Sequence, residues 1–303
     1  MDLRTANRRL ATLALQLWFI FLRQEIKLTS IYLIWLRRRN QRSTASVVSG
    51  TGPVVSVTSH GERLHTVHLT LESIAAGSVL PSRLILWVDT SDAFSNRSPG
   101  LKRLVDRGLE IYLSDNFGPH TKYYPYLLST DSFDSPLVTA DDDILYSRWW
   151  LKGLVRSHCE NPGVVNCYRA DFMRLERGAI TPYRTWGPCK STYPGYLNFA
   201  TGVSGCIYPP ALLIKLRRAG SEFMHLCPKA DDVWLHVNTI RAGIKIRQIW
   251  SRPLRFPIIP GTARYGLYHS NVLLARNDEQ IRNTYGSGDI ALLQSAAAHA
   301  YRQ

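Results

Sequence analysis

The chain has 303 residues, 45% hydrophobic and 20% charged, an ordinary globular composition with enough apolar side chains for a sizeable core. Its five cysteines (Cys159, Cys167, Cys189, Cys206, Cys227) are odd in number and scattered, with no CxxC pair. That excludes a disulfide framework or a zinc pattern and fits reduced thiols in a cytosolic protein. The net charge of +14 is not ordinary, and it is unevenly spread.

Residues 1–42 carry nine Lys or Arg against Asp2 and Glu25, a net +7 and half of the total. Charge asymmetry of this kind points to an anionic partner, lipid or nucleic acid. The apolar runs 10–22 and 28–36 both fall short of the roughly 18–20 residues that a spanning helix needs. A single span over 10–36 would place Arg23, Glu25 and Lys27 in mid-bilayer, at about 2.5–3.5 kcal/mol each. A secretory signal fits poorly, because charges and not small residues follow the first run. Arg9, Gln16, Arg23, Ser30 and Arg37 recur every seven residues, so a helix would gather them into one polar stripe. Leu13, Leu17, Trp18, Phe21, Leu28, Tyr32 and Trp35 would make a wide apolar face. This pattern predicts an interfacial helix or helical hairpin, with Arg37, Arg38 and Arg39 against anionic phospholipid. A true span and packing against protein are the other readings. The division expected is a membrane-associating segment over 1–45, a linker over 46–53 and a catalytic domain over 54–303.

From residue 54 onward, short apolar runs alternate with helical patterns. Strands are expected at 54–58, 84–88, 109–113 and 136–139, with a helix after the first and a charged helix near 99–107. Near-continuous apolar strands separated by helices imply an α/β fold with a mostly parallel sheet covered on both faces. Ligands bind such sheets at the carboxyl ends of the strands. Here those ends carry 59–63, Asp89, 114–122 and the triplet Asp141-Asp142-Asp143. Three adjacent carboxylates repel one another unless a cation is present, and hard oxygen ligands suit Mg²⁺ or Mn²⁺ carried with a diphosphate. In an extended chain Asp141 and Asp143 point the same way, so they could share one metal while Asp142 points away.

VVSVTSHGER (54–63), LILWVDT (84–90), GPHTKYYPYL (118–127), LVTADDDILYSRWWLKGL (137–154), ATGVSGCIYPP (200–210) and KADDVWLHV (229–237) occur in that order. Together they resemble the GT-A-fold glycosyltransferases, most closely those of bacterial capsule and cell-surface glycan synthesis, over roughly 53–285. The resemblance implies a Rossmann-like sheet and a nucleotide-sugar donor, with UDP as the expected nucleotide. It also implies Asp141 and Asp143 as ligands of Mn²⁺ or Mg²⁺, with His269 completing the shell. Thr58, Ser59 and Arg63 look like the loop that cradles the nucleotide, and Asp89 like a base or ribose contact. Lys122 would reach the diphosphate or the base pocket, and Asp142 and Gly205 would border the donor. Asp232 resembles the general base of inverting members, with Asp231 beside it, although Asp-Asp stands where Glu-Asp is commoner. Helix-dipole chemistry alone would also favour acids at that point. The long aromatic loop 183–199 is the candidate acceptor loop.

The implied reaction is sugar transfer from a nucleotide diphosphate to a glycan or lipid-linked acceptor, at the cytoplasmic face of the cell membrane, by a peripheral or monotopic protein. A nucleotidyltransferase is a rival, weakened because the loop 59–63 holds one glycine and an acid. A non-enzymatic membrane or nucleic-acid binder is another. The concentration of charge in a Trp/Leu-rich segment, with the other +7 spread over the rest of the chain, argues against nucleic acid as the partner.

Overall fold

The computed structural model describes residues 26–262 and 276–300. The chain divides into two compact units, 1–43 and 44–303. In the first unit, helix α1 runs over 26–42 and leaves Ile26, Leu28, Ile31, Ile34 and Trp35 exposed. Arg37, Arg38 and Arg42 are exposed on the same helix, and Tyr32 stacks on Trp35 with ring centres 5.7 Å apart. No helix among the described residues is long and apolar enough to cross a membrane.

The second unit is built on β1 (Val54–Thr58), α2 (Val67–Ala75), β2 (Arg83–Val88), α3 (Ser91–Ser95), α4 (Pro99–Val105) and β3 (Leu109–Leu113). Next come α5 (Tyr124–Leu128), β4 (Leu137–Ala140), α6 (Trp150–Glu160), β5 (Val165–Cys167) and β6 (Ala170–Phe172). Short strands β7 (Leu175–Glu176), β8 (Ala179–Ile180) and β9 (Gly187–Pro188) lead to β10 (Asn198–Ala200) and β11 (Cys206–Tyr208). Helices α7 (Pro210–Ala219), α8 (Phe223–Leu226) and α9 (Asp231–Arg241) precede β12 (Ile246–Gln248), then α10 (Arg276–Thr284) and α11 (Ser287–Ala300).

The main sheet has seven strands in the order β12-β5-β11-β4-β1-β2-β3. Only β11 runs against the rest, pairing antiparallel with both β4 and β5. This is the mostly parallel, helix-flanked architecture that the sequence resemblance implied. The two-residue period of a strand explains how both faces are filled. Val55, Val57, Leu84, Leu86 and Val88 pack with α2, α4 and α6, while Val54, Ile85 and Trp87 pack with α5, α7 and α9. Because both faces are buried, these strands read as continuous apolar runs.

Two sequence expectations are corrected. The segment expected as a linker is laid down on the second unit: Val47 is fully buried, its N–H bonds the Arg107 carbonyl at 2.9 Å, and Ser49 N–H bonds Pro81 O at 2.8 Å. The segment 114–122, read only as a loop at the end of the third strand, folds into a 3₁₀ turn over Gly118–Lys122 that leads directly into α5, with His120, Tyr123, Tyr124 and Tyr126 buried.

A buried ion pair secures α2. Arg107 donates to both carboxylate oxygens of Glu72, at 2.8 and 3.2 Å, and to Ala45 O at 2.7 Å. Removing one partner strands a buried charge, so Glu72→Ala should cost about 3–5 kcal/mol of stability. Equilibrium urea unfolding checks this, and a loss below about 1 kcal/mol would mean that water reaches the abandoned guanidinium.

Candidate active site

Strand β4 ends at Ala140, and the acidic triplet that follows forms a turn. Its backbone is fixed from several directions. Tyr146 Oη accepts the Asp141 N–H at 3.0 Å, Thr70 Oγ1 donates to Asp142 O at 2.9 Å, and Ile259 N–H donates to Asp143 O at 2.7 Å. The turn breaks the strand alternation on which the pairing of Asp141 with Asp143 was expected. Asp142 and Asp143 instead share Arg63, whose two terminal nitrogens reach them at 2.6 and 2.9 Å. Asp142 also accepts from Ser59 Oγ at 2.6 Å. Asp141 turns toward Lys122, whose ammonium lies 2.8 Å from it and 3.2 Å from Asp231.

Helix α9 begins at Asp231, so both acids of the second pair lie in its first turn. Asp232 Oδ1 accepts the Gly202 N–H at 3.0 Å. A Cβ on Gly202 would lie 3.3 Å from that oxygen and 3.5 Å from Lys122 Nζ, so a glycine is what lets this backbone come so close. The result is one cluster of five carboxylates (Asp141, Asp142, Asp143, Asp231, Asp232) and two cations (Arg63, Lys122).

The charge balance of this cluster shows in its protonation. Burial pushes Asp143 up to about 6, against the pull of Arg63. Burial also raises Asp231, although Lys122 opposes the shift. Asp232 is pushed up to about 8 by burial first and by the neighbouring Asp231 second. Burial works against the Lys122 charge, but Asp141, Asp231 and Asp232 outweigh it and hold the proton on well above the usual range. Five carboxylates thus face two cations in this cluster, and the protons held on the raised carboxyls offset part of the difference.

Carboxylate oxygens are the hard donors that a divalent cation takes. Mg²⁺ is usually held by one or two carboxylates plus substrate phosphates, not by an all-protein cage. Among the described residues no three His, Cys, Asp or Glu side chains form such a cage. Asp141 and Asp143 each engage a protein cation through one oxygen, Oδ1 and Oδ2 respectively. Each thus keeps a second oxygen to offer. His269, expected in the same shell, lies outside the described residues.

The other expected site residues divide between this cluster and a second feature. Ser59 and Arg63 belong to the cluster. Thr58 Oγ1 bonds Trp87 O at 3.3 Å. Asp89 lines a cavity of about 630 Å³ at the ends of β2 and β3, with Trp87, Leu113, Asn116 and Phe117. Asn116 donates to Asp89 at 2.8 Å and accepts the Gly118 N–H at 2.8 Å, joining the two strand-end loops. Lys122, expected on a diphosphate, is instead committed to carboxylates. Gly205, expected near the donor, has φ +95°, and a Cβ there would lie 2.6 Å from the Trp150 indole nitrogen. Its glycine requirement is a matter of packing. The loop 183–199 puts Trp186, Cys189, Leu197 and Phe199 in the core and leaves Tyr193 81% exposed.

Sequence reasoning missed Thr70 and Tyr146. It also missed a polar group beside β10, where Arg169 bonds Thr201 Oγ1 at 2.6 Å and Asp171 at 3.2 Å, and Tyr183 Oη donates to Asp171 at 3.3 Å. Arg169 and Asp171 stand two apart across the start of β6, a same-face signal that could have found them. Asp278, left without a role by the sequence, accepts the Tyr183 N–H at 2.6 Å.

No family model matches the sequence, and no curated protein matches it. Among solved structures the chain is similar to CMP:2-keto-3-deoxy-manno-octonic acid synthetase complexed with CTP, at 11% identity and TM-score 0.42, over 75% of this chain and 100% of that one. It is similar to S. aureus TarS 1–349 at 15% identity and TM-score 0.46, over 79% and 68% of the two chains. It is also similar to 4-diphosphocytidyl-2C-methyl-D-erythritol synthase from Anaerococcus prevotii, at 12% identity and TM-score 0.42, over 66% and 87%.

Proposed function

We propose that this chain is a glycosyltransferase that uses a divalent cation to move a sugar from a nucleotide diphosphate, with UDP the expected nucleotide, to a glycan or lipid-linked acceptor. The observation that carries this reading is the cluster of five carboxylates against two cations at the carboxyl edge of a parallel sheet. A charge excess of that kind suits a cation and a diphosphate arriving together.

Asp141 and Asp143 would hold Mn²⁺ or Mg²⁺, which when bound offsets the charge of the departing nucleoside diphosphate. Lys122 holds Asp141 and Asp231 in place. Arg63 and Ser59 fix Asp142 and, with it, the turn. The cavity beside Asp89 has the size for a nucleoside, and its Trp87, Leu113 and Phe117 side chains suit a base. Asp232 takes the proton from the acceptor hydroxyl as that oxygen attacks the anomeric carbon, giving inversion. Its raised proton affinity suits a proton acceptor near neutral pH, and the Gly202 N–H aims it.

Two features favour sugar transfer over nucleotidyl transfer. The loop after β1 holds a single glycine, and its Arg63 is folded back onto Asp142 and Asp143 instead of standing free for a triphosphate. We also place the chain on the cytoplasmic face of an anionic membrane through residues 1–42, supported by the exposed Ile, Leu and Trp side chains and arginines of α1. Salt-sensitive binding to anionic vesicles in preference to duplex DNA tests that placement.

A nucleotide-sugar screen tests the activity, reading release of nucleoside diphosphate with and without Mn²⁺ for the native chain and Asp143→Ala. Donor-selective turnover that needs Mn²⁺ and is lost in the variant is expected. Metal-independent turnover, equal in the variant, would overturn the roles given to Asp141 and Asp143.

A further inference from the structure

Between Asp232 and Asp278 the sequence contains no Asp or Glu, yet residues 233–277 hold seven Lys or Arg. The +7 outside residues 1–42, read above as spread over the rest of the chain, is therefore concentrated here as well. The described part of this run includes a strap over 249–259, IWSRPLRFPII, that follows β12.

The strap is fixed along its length. Ile249 N–H bonds Cys167 O at 2.9 Å, Leu254 N–H bonds Tyr168 O at 3.0 Å, and Ser204 Oγ donates to Leu254 O at 2.7 Å. Leu145 N–H bonds Pro257 O at 2.8 Å, and Ile259 N–H bonds the carbonyl of Asp143 at 2.7 Å. Ile249 and Ile259 are buried, and Phe256 packs on Tyr146 and Tyr168. The side chains between them face water: Trp250 is 49% exposed, Leu254 40% and Ile258 46%, with Arg252 and Arg255 exposed among them. A backbone so firmly held keeps three large apolar side chains in solvent by construction. The turn into α6 adds Trp149, 59% exposed, with Arg148 and Lys152 over its ring. It connects to the strap through Trp150, which bonds the carbonyl of Ser204.

We propose that this strap is a second lipid-contacting surface, which docks the catalytic unit itself on an anionic bilayer with the acidic turn at its margin. Tryptophan and aliphatic side chains interleaved with arginine match the headgroup region, where indole and alkyl groups enter the boundary and guanidinium groups meet lipid phosphate. A polynucleotide would use the arginines but would leave Leu254 and Ile258 with nothing to bury them. The strap is joined to Asp143 by one hydrogen bond, so docking there would present a lipid-linked acceptor to the site. That last step rests on the glycosyltransferase reading; the docking does not.

The test uses the full chain in a Cys159→Ser background, since the other four cysteines are buried. An environment-sensitive fluorophore is attached at Leu254→Cys and, separately, at Ile258→Cys. With vesicles of phosphatidylglycerol and phosphatidylcholine the emission should shift to the blue and be quenched by brominated acyl chains; with phosphatidylcholine alone it should not. Arg252→Gln with Arg255→Gln should weaken partition onto the anionic vesicles by about thirtyfold, at about 1 kcal/mol per charge near such a surface. The same pair should leave hydrolysis of soluble donor unchanged. A chain that sediments with vesicles while both labels stay unshifted docks by its N-terminal unit alone, and the proposal is overturned. Labels that respond to a duplex oligonucleotide and not to vesicles overturn it equally. Loss of donor hydrolysis in the unsubstituted chain would count against the enzyme reading and leave the vesicle result standing.

Discussion

Replacing Asp232 with asparagine is expected to lower turnover by about 10²–10⁴ while leaving donor binding in place, the range for removing a general base. Asparagine keeps an oxygen for the Gly202 N–H, so the geometry survives and only the proton acceptor is lost. The same change should make the cation-free protein more stable at pH 8. The Asp232 carboxyl is raised from 3.8 to about 8 in the folded state, so between these values the folded chain binds more protons than the unfolded one. Stability therefore falls as pH rises through that window, and Asp143, raised to about 6, adds to the fall over its lower part. Melting temperature against pH in EDTA should slope downward for the native chain and less steeply for Asp232→Asn. Turnover of the native chain should rise with pH through the Asp232 transition, which a bound cation moves to lower pH. An Asp232→Asn enzyme with native turnover would place the base elsewhere. An Asp232→Asn protein less stable at pH 8 would mean that the carboxylate is already compensated.

The sequence made some of this molecule legible and hid the rest for identifiable reasons. Strands β1 and β3 were readable to the residue, because their β-branched and apolar runs stop at Ser59 and Ser114. The opening of α9 at Asp231 was readable from two acids ahead of an apolar pattern. The internal arrangement of the acidic triplet was not. Where a ladder ends depends on distant partners, and here Thr70 and Ile259 hold a turn in which alternation no longer applies. Arg63 and Lys122 read as loop cations free to meet a ligand, since nothing local reveals ion pairs spanning 79 and 19 positions. Gly202 and Gly205 look equivalent in Gly-Val-Ser-Gly. Only the third dimension shows that one faces Asp232 and the other the Trp150 indole. The aromatic loop at 183–199 misled in the opposite direction, because Trp186 and Phe199 serve the core.

Lys122 separates the two ways of reading the site. If it were a phosphate ligand, as its place in the sequence led one to expect, Lys122→Met would weaken donor binding and leave the free protein intact. The structure gives it other work. Its ammonium neutralises Asp141 at 2.8 Å and Asp231 at 3.2 Å, and Asp232 also holds its proton. Methionine preserves the length of the chain and removes the charge, leaving buried carboxylates that now repel one another without a counter-ion. Breaking such a pair from one side costs about 3–5 kcal/mol. The loss should be larger at pH 8 than at pH 5, because protonating the raised Asp231 and Asp232 relieves the repulsion. Mn²⁺ should restore part of it, since a divalent ion supplies the missing positive charge at Asp141. The acid limb of the activity profile should move to higher pH, Asp232 having lost a cation that favours its ionised form. Urea unfolding at the two pH values, with and without Mn²⁺, tests the stability effects before any donor is known. A variant as stable as the native chain at pH 8 would show that the carboxylates do not depend on Lys122, and with that the charge excess supporting the cation site would have to be recounted.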